Sequence, residues 1–192
     1  MEYTQIPAST FQELQLNVGV LVSKFTPATG KIERADILGA TSGGITFTDV
    51  PTYEDYGADI DNCPKNTKEL KKIVDRVITL SGTYLTVNTT QAKALIAAAD
   101  IDGSDTTKIV PRDTLEDEDF TDIWWVGDYS DNNTGTSAGF IAINLKNALS
   151  TGGFSLKSTD KGKGQFAFTY TAHYSIEDTS IVPYDMYIKA GG

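Results

Sequence analysis

The clearest pattern in this chain is a period of two near its C-terminal end. Along GQFAFTYTAHYSI (164–176), Phe166, Phe168, Tyr170, Ala172 and Tyr174 fall on one side of an extended backbone, and Gln165, Ala167, Thr169, Thr171 and His173 on the other. That is a strand with one buried and one polar face. An aromatic and aliphatic run at 140–145 precedes it. VPYDMYIK (182–189) follows, with Pro183 suited to a sheet edge because proline cannot donate to the ladder. The three segments predict an antiparallel meander. Upstream, LQLNVGVLVSKF (14–25) alternates with Leu16, Val18, Val20 and Val22 on one face, and GITFTDV (44–50) carries Ile45 and Phe47. VITLSGTYLTVN (77–88) reads as a strand whose phase breaks at Ser81–Gly82, which predicts a bulge there. TDIWWVGDY (121–129) is a further strand. Trp124 and Trp125 must face opposite ways, so one enters the core and the other needs a second apolar surface, from the helix or a partner subunit.

One stretch has helical spacing, TTQAKALIAAAD (89–100), with Asn88 or Thr89 as cap and Ala94, Leu95, Ala98 and Ala99 as its apolar stripe. The segments between elements are polar. Residues 1–12 have no pattern and are expected to form an arm. TPATG (26–30) is a turn, 35–44 and 102–120 are loops, and SDNNTGTSAG (130–139) is a turn. Residues 51–72 break the alternation with Pro51, Gly57 and Pro64, and a stretch this long between strands is expected to be a functional loop or a disordered linker. Its charges are sorted: Glu54, Asp55, Asp59 and Asp61 come first, then Lys65, Lys68, Lys71, Lys72 and Arg76, with only Glu69 and Asp75 among the basic residues. This is either a solvated loop or an arm that pairs charge with charge on a neighbouring copy.

At 192 residues the chain suits one domain with a real core. Apolar residues make up 40%, which excludes a disordered chain, and plentiful glycine and threonine favour a mainly β fold. The formal charge of −10 argues against tight nucleic-acid binding, which needs clustered Lys and Arg, but it suits a surface that DNA slides past. One cysteine, Cys63, precludes an internal disulfide. The first residues show no basic-then-apolar leader and no apolar run approaches the ~20 residues of a membrane span, so a protein made in a cytoplasm without membrane binding is expected.

Candidate chemistry is sparse. The one histidine, His173, lies on a polar strand face and shows no partners for catalysis or zinc binding. DIDGSD (100–105) places its glycine too early for a calcium loop and lacks the closing glutamate, and DYSDNN (128–133) lacks the glycine altogether. STGG and DKGKG do not match a phosphate loop. The acidic run of Asp113, Glu116, Asp117, Glu118 and Asp119 is more simply a solvated face than paired catalytic carboxylates. No enzyme activity, cofactor or metal is expected.

TSGGI (41–45), VPTYEDYGADIDNCPKNTKELKK (50–72), LSGTYL (80–85), LKNALSTGGFSL (145–156), DKGKGQFAFTYTAHYSI (160–176) and VPYDMYIK (182–189), taken in order, resemble the major tail tube proteins of long-tailed, non-contractile bacteriophages of Gram-positive hosts. The resemblance covers most of the chain and rests on the ordered set, since no single motif is a fingerprint. It implies a β-sandwich or small barrel of two antiparallel sheets flanked by one helix. It further implies homo-hexameric rings that stack into a tube, assembled in the host cytoplasm and housed in the virion tail. Double-stranded DNA and the tape-measure protein would pass through that tube, and terminator and distal tail proteins would close its ends. Tubes of tail-like bacteriocins share the architecture, and a virion-surface binding or decoration module is the alternative class. The implied ring-stacking contacts are Tyr53, Glu54, Asp55, Tyr56, Asp59, Asp61, Lys65, Lys68, Lys71 and Lys72. Lumen-facing candidates are the small polar residues Thr79, Ser81 and Thr83 on one strand and Gln165, Thr169 and Thr171 on another.

Overall fold

Two antiparallel half-sheets meet at one bent strand. The computed structural model describes residues 5–130 and 138–191. In chain order the elements are β1 (Gln15–Val22), β2 (Thr41–Asp55), β3 (Lys71–Tyr84), α1 (Thr89–Ile96), β4 (Ala99–Ile101), β5 (Ile109–Pro111), β6 (Thr121–Tyr129), β7 (Phe140–Ser150), β8 (Ser155–Lys157), β9 (Gln165–Thr171) and β10 (Tyr184–Lys189). One half runs β1-β6-β7-β10 and the other β2-β3-β9-β8, joined where β7 touches β9; β4 and β5 form a separate small hairpin. Leu21, Ile123, Ile143 and Leu145 from the first half pack against Ile78, Leu80, Tyr84, Phe168 and Tyr170 from the second, with Leu95 of α1 closing one end. The fold is mainly β, a large antiparallel sheet with a small second sheet and one helix, consistent with the expected architecture.

The bend in β7 has a local cause. Asn147 adopts φ 47°, left-handed space that asparagine tolerates better than most residues. The register against β6 shifts there, between the pairs Ile123↔Leu145 and Thr121↔Ala148. The corner is braced from both sides: Asn147 N–H donates to Asp122 Oδ1 (3.1 Å), and its side-chain amide donates to the His173 carbonyl (3.2 Å). Beyond the corner, Leu149 and Ser150 pair with Thr171 and Tyr170 of β9.

Several expectations need correction. The C-terminal segments are not a simple meander, because β10 lies beside β7 rather than β9. In β1 the stretch Asn17–Gly19 bulges out between the pairs Leu16↔Asp128 and Val20↔Val126. Val18 is therefore expelled to solvent (48% exposed), whereas Leu21 and Val22 are fully buried on opposite faces. The helix stops at Ile96 because Ala97 takes φ 72°, so Ala98 lies past its end and Ala99 opens β4. Asn88 does cap it, in a capping box with Gln91. The bulge expected at Gly82 sits instead on β2, at Gly43 and Gly44, both at positive φ. Gly82 itself makes room: a Cβ there would stand 2.8 Å from the Phe168 ring. The two tryptophans do face opposite ways. Trp125 packs on the main core and donates its indole N–H to the Val18 carbonyl (2.9 Å). Trp124 meets Phe25 at 5.6 Å and Tyr187 at 5.8 Å, so rings of its own chain, rather than the helix, give it a second apolar surface.

The turn expected at 130–139 falls mostly, and the first four residues of the N-terminal arm wholly, outside the described residues. The rest of the arm is exposed apart from Ser9 and Thr10, with a single short turn at Thr10–Gln12.

Candidate assembly surfaces

The segment expected to be a loop at 51–72 is mostly a continuation of two strands. β2 runs on to Asp55 and β3 begins at Lys71, paired residue for residue up to Asp55↔Lys71, with one bulge near Thr52. Pro51 was the misleading residue: β2 pairs only with β3, so the missing N–H of Pro51 costs no ladder bond on the free edge. β9 pairs with β3 only over Thr79–Tyr84. The outer part of the hairpin, Lys71–Val77 on β3, thus projects as a two-stranded ribbon of about 23 Å, at ~3.3 Å per residue. Val50, Tyr53, Ile73, Val74 and Val77 are each roughly half exposed along it.

The turn joining the strands folds on itself. Asp55 accepts from Gly57 N–H (3.0 Å) and from Asn66 N–H (2.8 Å). These bonds, Asn66 first, hold its carboxyl below the usual range. Gly57 is buried, and a Cβ on it would meet Leu70 at 2.8 Å and Cys63 Sγ at 3.0 Å. Thr67 Oγ1 donates to the Pro64 carbonyl (2.7 Å), and Lys71 Nζ to Asn66 Oδ1 (3.1 Å). The charge sorting has a local outlet, since Glu54 lies opposite Lys72 and Asp55 opposite Lys71. The lysine tips rest on rings, Lys71 over Tyr53 (5.3 Å) and Lys72 over Tyr56 (5.5 Å). Among the described residues Lys68 pairs with Glu69 alone, at 3.6 Å and largely in water. The structure gathers all ten sequence-derived contact residues at this end of the hairpin, but it orders them within one chain.

The six lumen candidates come together on one surface. Thr79 pairs with Thr171 and Ser81 with Thr169, while Thr83 lies opposite Ala167, on the face of β3 and β9 turned away from the core. Gln165 sits at its rim opposite Lys157. β2 extends the face with Thr46 and Thr48, and Thr48 and Thr79 share a hydroxyl bond of 2.6 Å. Thr151 and Thr171 share another at 2.7 Å. Between Asp75 on the ribbon side and Lys157 on the other, the described side chains of this face carry hydroxyls or small apolar groups and no charge. Short β-branched hydroxyls suit a sheet surface that water or another chain must pass over.

The remaining polar clusters are bound up in the fold. Arg112 pairs with Asp100 (2.8 Å), Glu116 (3.3 Å) and Asp119 (2.9 Å), whose side chain is fully buried, which binds two of the five acids of the run at 113–119 into the fold. His173 Nδ1 faces the Asn147 carbonyl at 3.2 Å; a carbonyl only accepts, so Nδ1 carries the proton there. Its ring edge meets Phe120 at 5.3 Å. This corner role depends on a left-handed Asn147 that no periodicity announces. Among the described residues no group of three or more His, Cys, Asp or Glu could hold a metal ion, and no helix is long and apolar enough to cross a membrane. In sequence comparison, no protein-family model and no curated protein matches the chain.

Proposed function

We propose that the chain is a structural subunit that assembles with copies of itself into a tube, of the kind that forms the tail of long-tailed, non-contractile phages. The observation that carries this reading is the β2–β3 ribbon. A lone sandwich gains no core from extending two strands past its last neighbour with apolar side chains exposed, whereas a second copy covers them. The uncharged hydroxyl face supports the rest. Closed into a hexameric ring, it walls a channel that offers DNA no lysine or arginine to grip except Lys157 at one rim. Stacked rings then pass DNA and the tape-measure protein, and terminator and distal tail proteins close the ends. The same subunit logic serves a tail-like bacteriocin.

The test is negative-stain electron microscopy of concentrated protein, with a variant in which residues 53–74 are replaced by an Asn-Gly turn. The unaltered protein forms rings or tubes, and the short-hairpin variant stays folded and monomeric. A monomeric unaltered protein, or tubes from the variant, overturns the reading. Lysine at the hydroxyl face tests the channel: Thr83→Lys or Thr169→Lys leaves tubes intact but slows DNA passage, most at low salt where screening is weak. Passage unchanged at every salt concentration places that face outside the tube.

A further inference from the structure

The geometry points to a small-molecule site between α1 and the large sheet, a cavity of about 220 Å³ that takes an uncharged, mainly apolar guest carrying a hydrogen-bond acceptor. This goes beyond the assembly reading and does not depend on it. Leu38, Ile123 and the rings of Tyr84 and Tyr170 give the cavity its apolar wall. Thr90, Ala94 and Asp122, all exposed, mark its mouth. α1 rests mainly on β4, β5 and β7. Its C-terminal end is pinned by the fully buried Leu95, whose carbonyl accepts from Ser150 Oγ (3.0 Å). Its first turn, with Thr90 and Gln91, lines the cavity together with Tyr84 and Tyr170.

Two buried polar groups in this lining have no hydrogen-bond partner, the Tyr84 hydroxyl and Gln91 Nε2. Tyr84 is 1% exposed and Gln91 9%. The capping box fixes the Gln91 amide: Oε1 accepts the Asn88 N–H (3.1 Å), so the end left over is the NH2 donor. Gly39 makes room for that donor, because a Cβ there would collide with Nε2. The Tyr170 phenol stands near the Tyr84 hydroxyl without closing a hydrogen bond to it. Burial, reinforced by that neighbour, pushes the Tyr84 phenol far above its usual range, so it stays a neutral hydroxyl. A buried polar group left unpaired costs stability, and phenylalanine at 84 would fill the same space without the cost. A guest that pairs with both groups accounts for their presence. Both atoms are closed to solvent, so the guest reaches them as the first turn of α1 moves outward about its pinned end.

The chemistry of the wall selects the guest. An amide NH2 only donates, and a hydroxyl donates or accepts, so the guest must offer an acceptor such as a carbonyl oxygen. An ammonium group cannot pair with Gln91. Among the described residues no cationic side chain lines the cavity, and Asp122 stands at its mouth, so an anion would enter unpaired and against like charge. The volume equals that of about seven water molecules at ~30 Å³ each, room for a six-membered ring with a short carbonyl substituent. Aliphatic and aromatic walls favour such a ring over water, because apolar cavities stay dry.

The experiment is an NMR titration of the full chain with acetophenone. Ethylbenzene serves as the matched probe without an acceptor, and benzoate as the anionic one. Acetophenone binds with a Kd below about 1 mM and shifts the Gln91 side-chain amide and Ile123 methyl resonances. Ethylbenzene binds at least fivefold more weakly and benzoate at least tenfold. Tyr84→Phe weakens acetophenone binding at least fivefold, yet its unfolding midpoint without probe is unchanged or higher, because the lost hydroxyl had no partner. A tyrosine with a merely structural role would show the reverse. Ala94→Phe, at an exposed helix position, plugs the mouth and abolishes the shifts with the circular dichroism spectrum unchanged. Absence of saturable shifts, equal binding of ethylbenzene or benzoate, or full affinity in either variant overturns the proposal. None of these outcomes bears on tube formation.

Discussion

The inner and outer halves of β2 and β3 are one pair of strands in two environments. From Thr79 to Tyr84, β3 is flanked by β2 and β9, and its residues alternate between buried Leu80 and Tyr84 and the hydroxyls of Thr79, Ser81 and Thr83. From Lys71 to Val77 the same strand has only β2 beside it, and Ile73, Val74 and Val77 stay open to solvent. The backbone pairing is alike in both halves, so the difference lies in what covers the side chains. Burial makes the inner half a determinant of stability, and exposure frees the outer half for contact with another molecule.

Substitutions can break or sharpen that contrast. The largest effect belongs to the inner half. Phe168, 2% exposed and stacked on Tyr84 and Tyr170, is expected to cost about 3–5 kcal/mol when changed to Ala, measured by denaturant unfolding; a loss below about 1 kcal/mol would mean that the buried face is misassigned. Gly82→Ala comes next, at about 1–3 kcal/mol, because its methyl would meet the Phe168 ring and the Gly44 carbonyl. In a Phe168→Leu background this penalty should shrink, which separates steric crowding from a backbone effect. In the outer half, Tyr53→Ser with Ile73→Ser should shift unfolding by no more than about 0.5 kcal/mol per site. The same change should abolish assembly in sedimentation. A large loss of monomer stability there would show that the ribbon belongs to the core after all.

The smallest effect is a pH response confined to the tip. Asp55 has its folded pKa depressed below the ordinary 3.8 by the N–H groups of Asn66 and Gly57. Its contribution is therefore complete above the unfolded value and is lost as pH falls through the lower folded one. Amide exchange at Gly57 and Asn66 should accelerate on acidification below about pH 3.8, ahead of amides in β9. Asp55→Asn should accelerate their exchange at neutral pH and remove the acid dependence. Exchange that speeds up in β9 and the tip together would deny the tip its separate stability.

Much of this was written in local pattern. The alternation of Phe166, Phe168, Tyr170 and Ala172 with Ala167, Thr169 and Thr171 reports which face of β9 is buried, because a strand turns each successive side chain over. The opposed tryptophans and the Asn88 cap follow from equally short-range geometry. The hydroxyl face was legible for the same reason, since two neighbouring strands in antiparallel register bring their polar sides together. Pairing over distance was not legible. Pro51 reads as a breaker until β2 is known to be an edge. The charges of 54–72 read as free until Glu54 and Asp55 are found opposite Lys72 and Lys71. β10 joins β7 rather than β9 because Asn147 turns β7 out of one half-sheet into the other. Tyr174 reads as the tail of a strand, and only folding sets it in one depression with Ile73 and Val74 of the ribbon. Periodicity records which way a side chain points relative to its own backbone. Which strands become neighbours, and which apolar residues stay uncovered, depends on contacts between residues far apart in the chain, and the local sequence carries no trace of them.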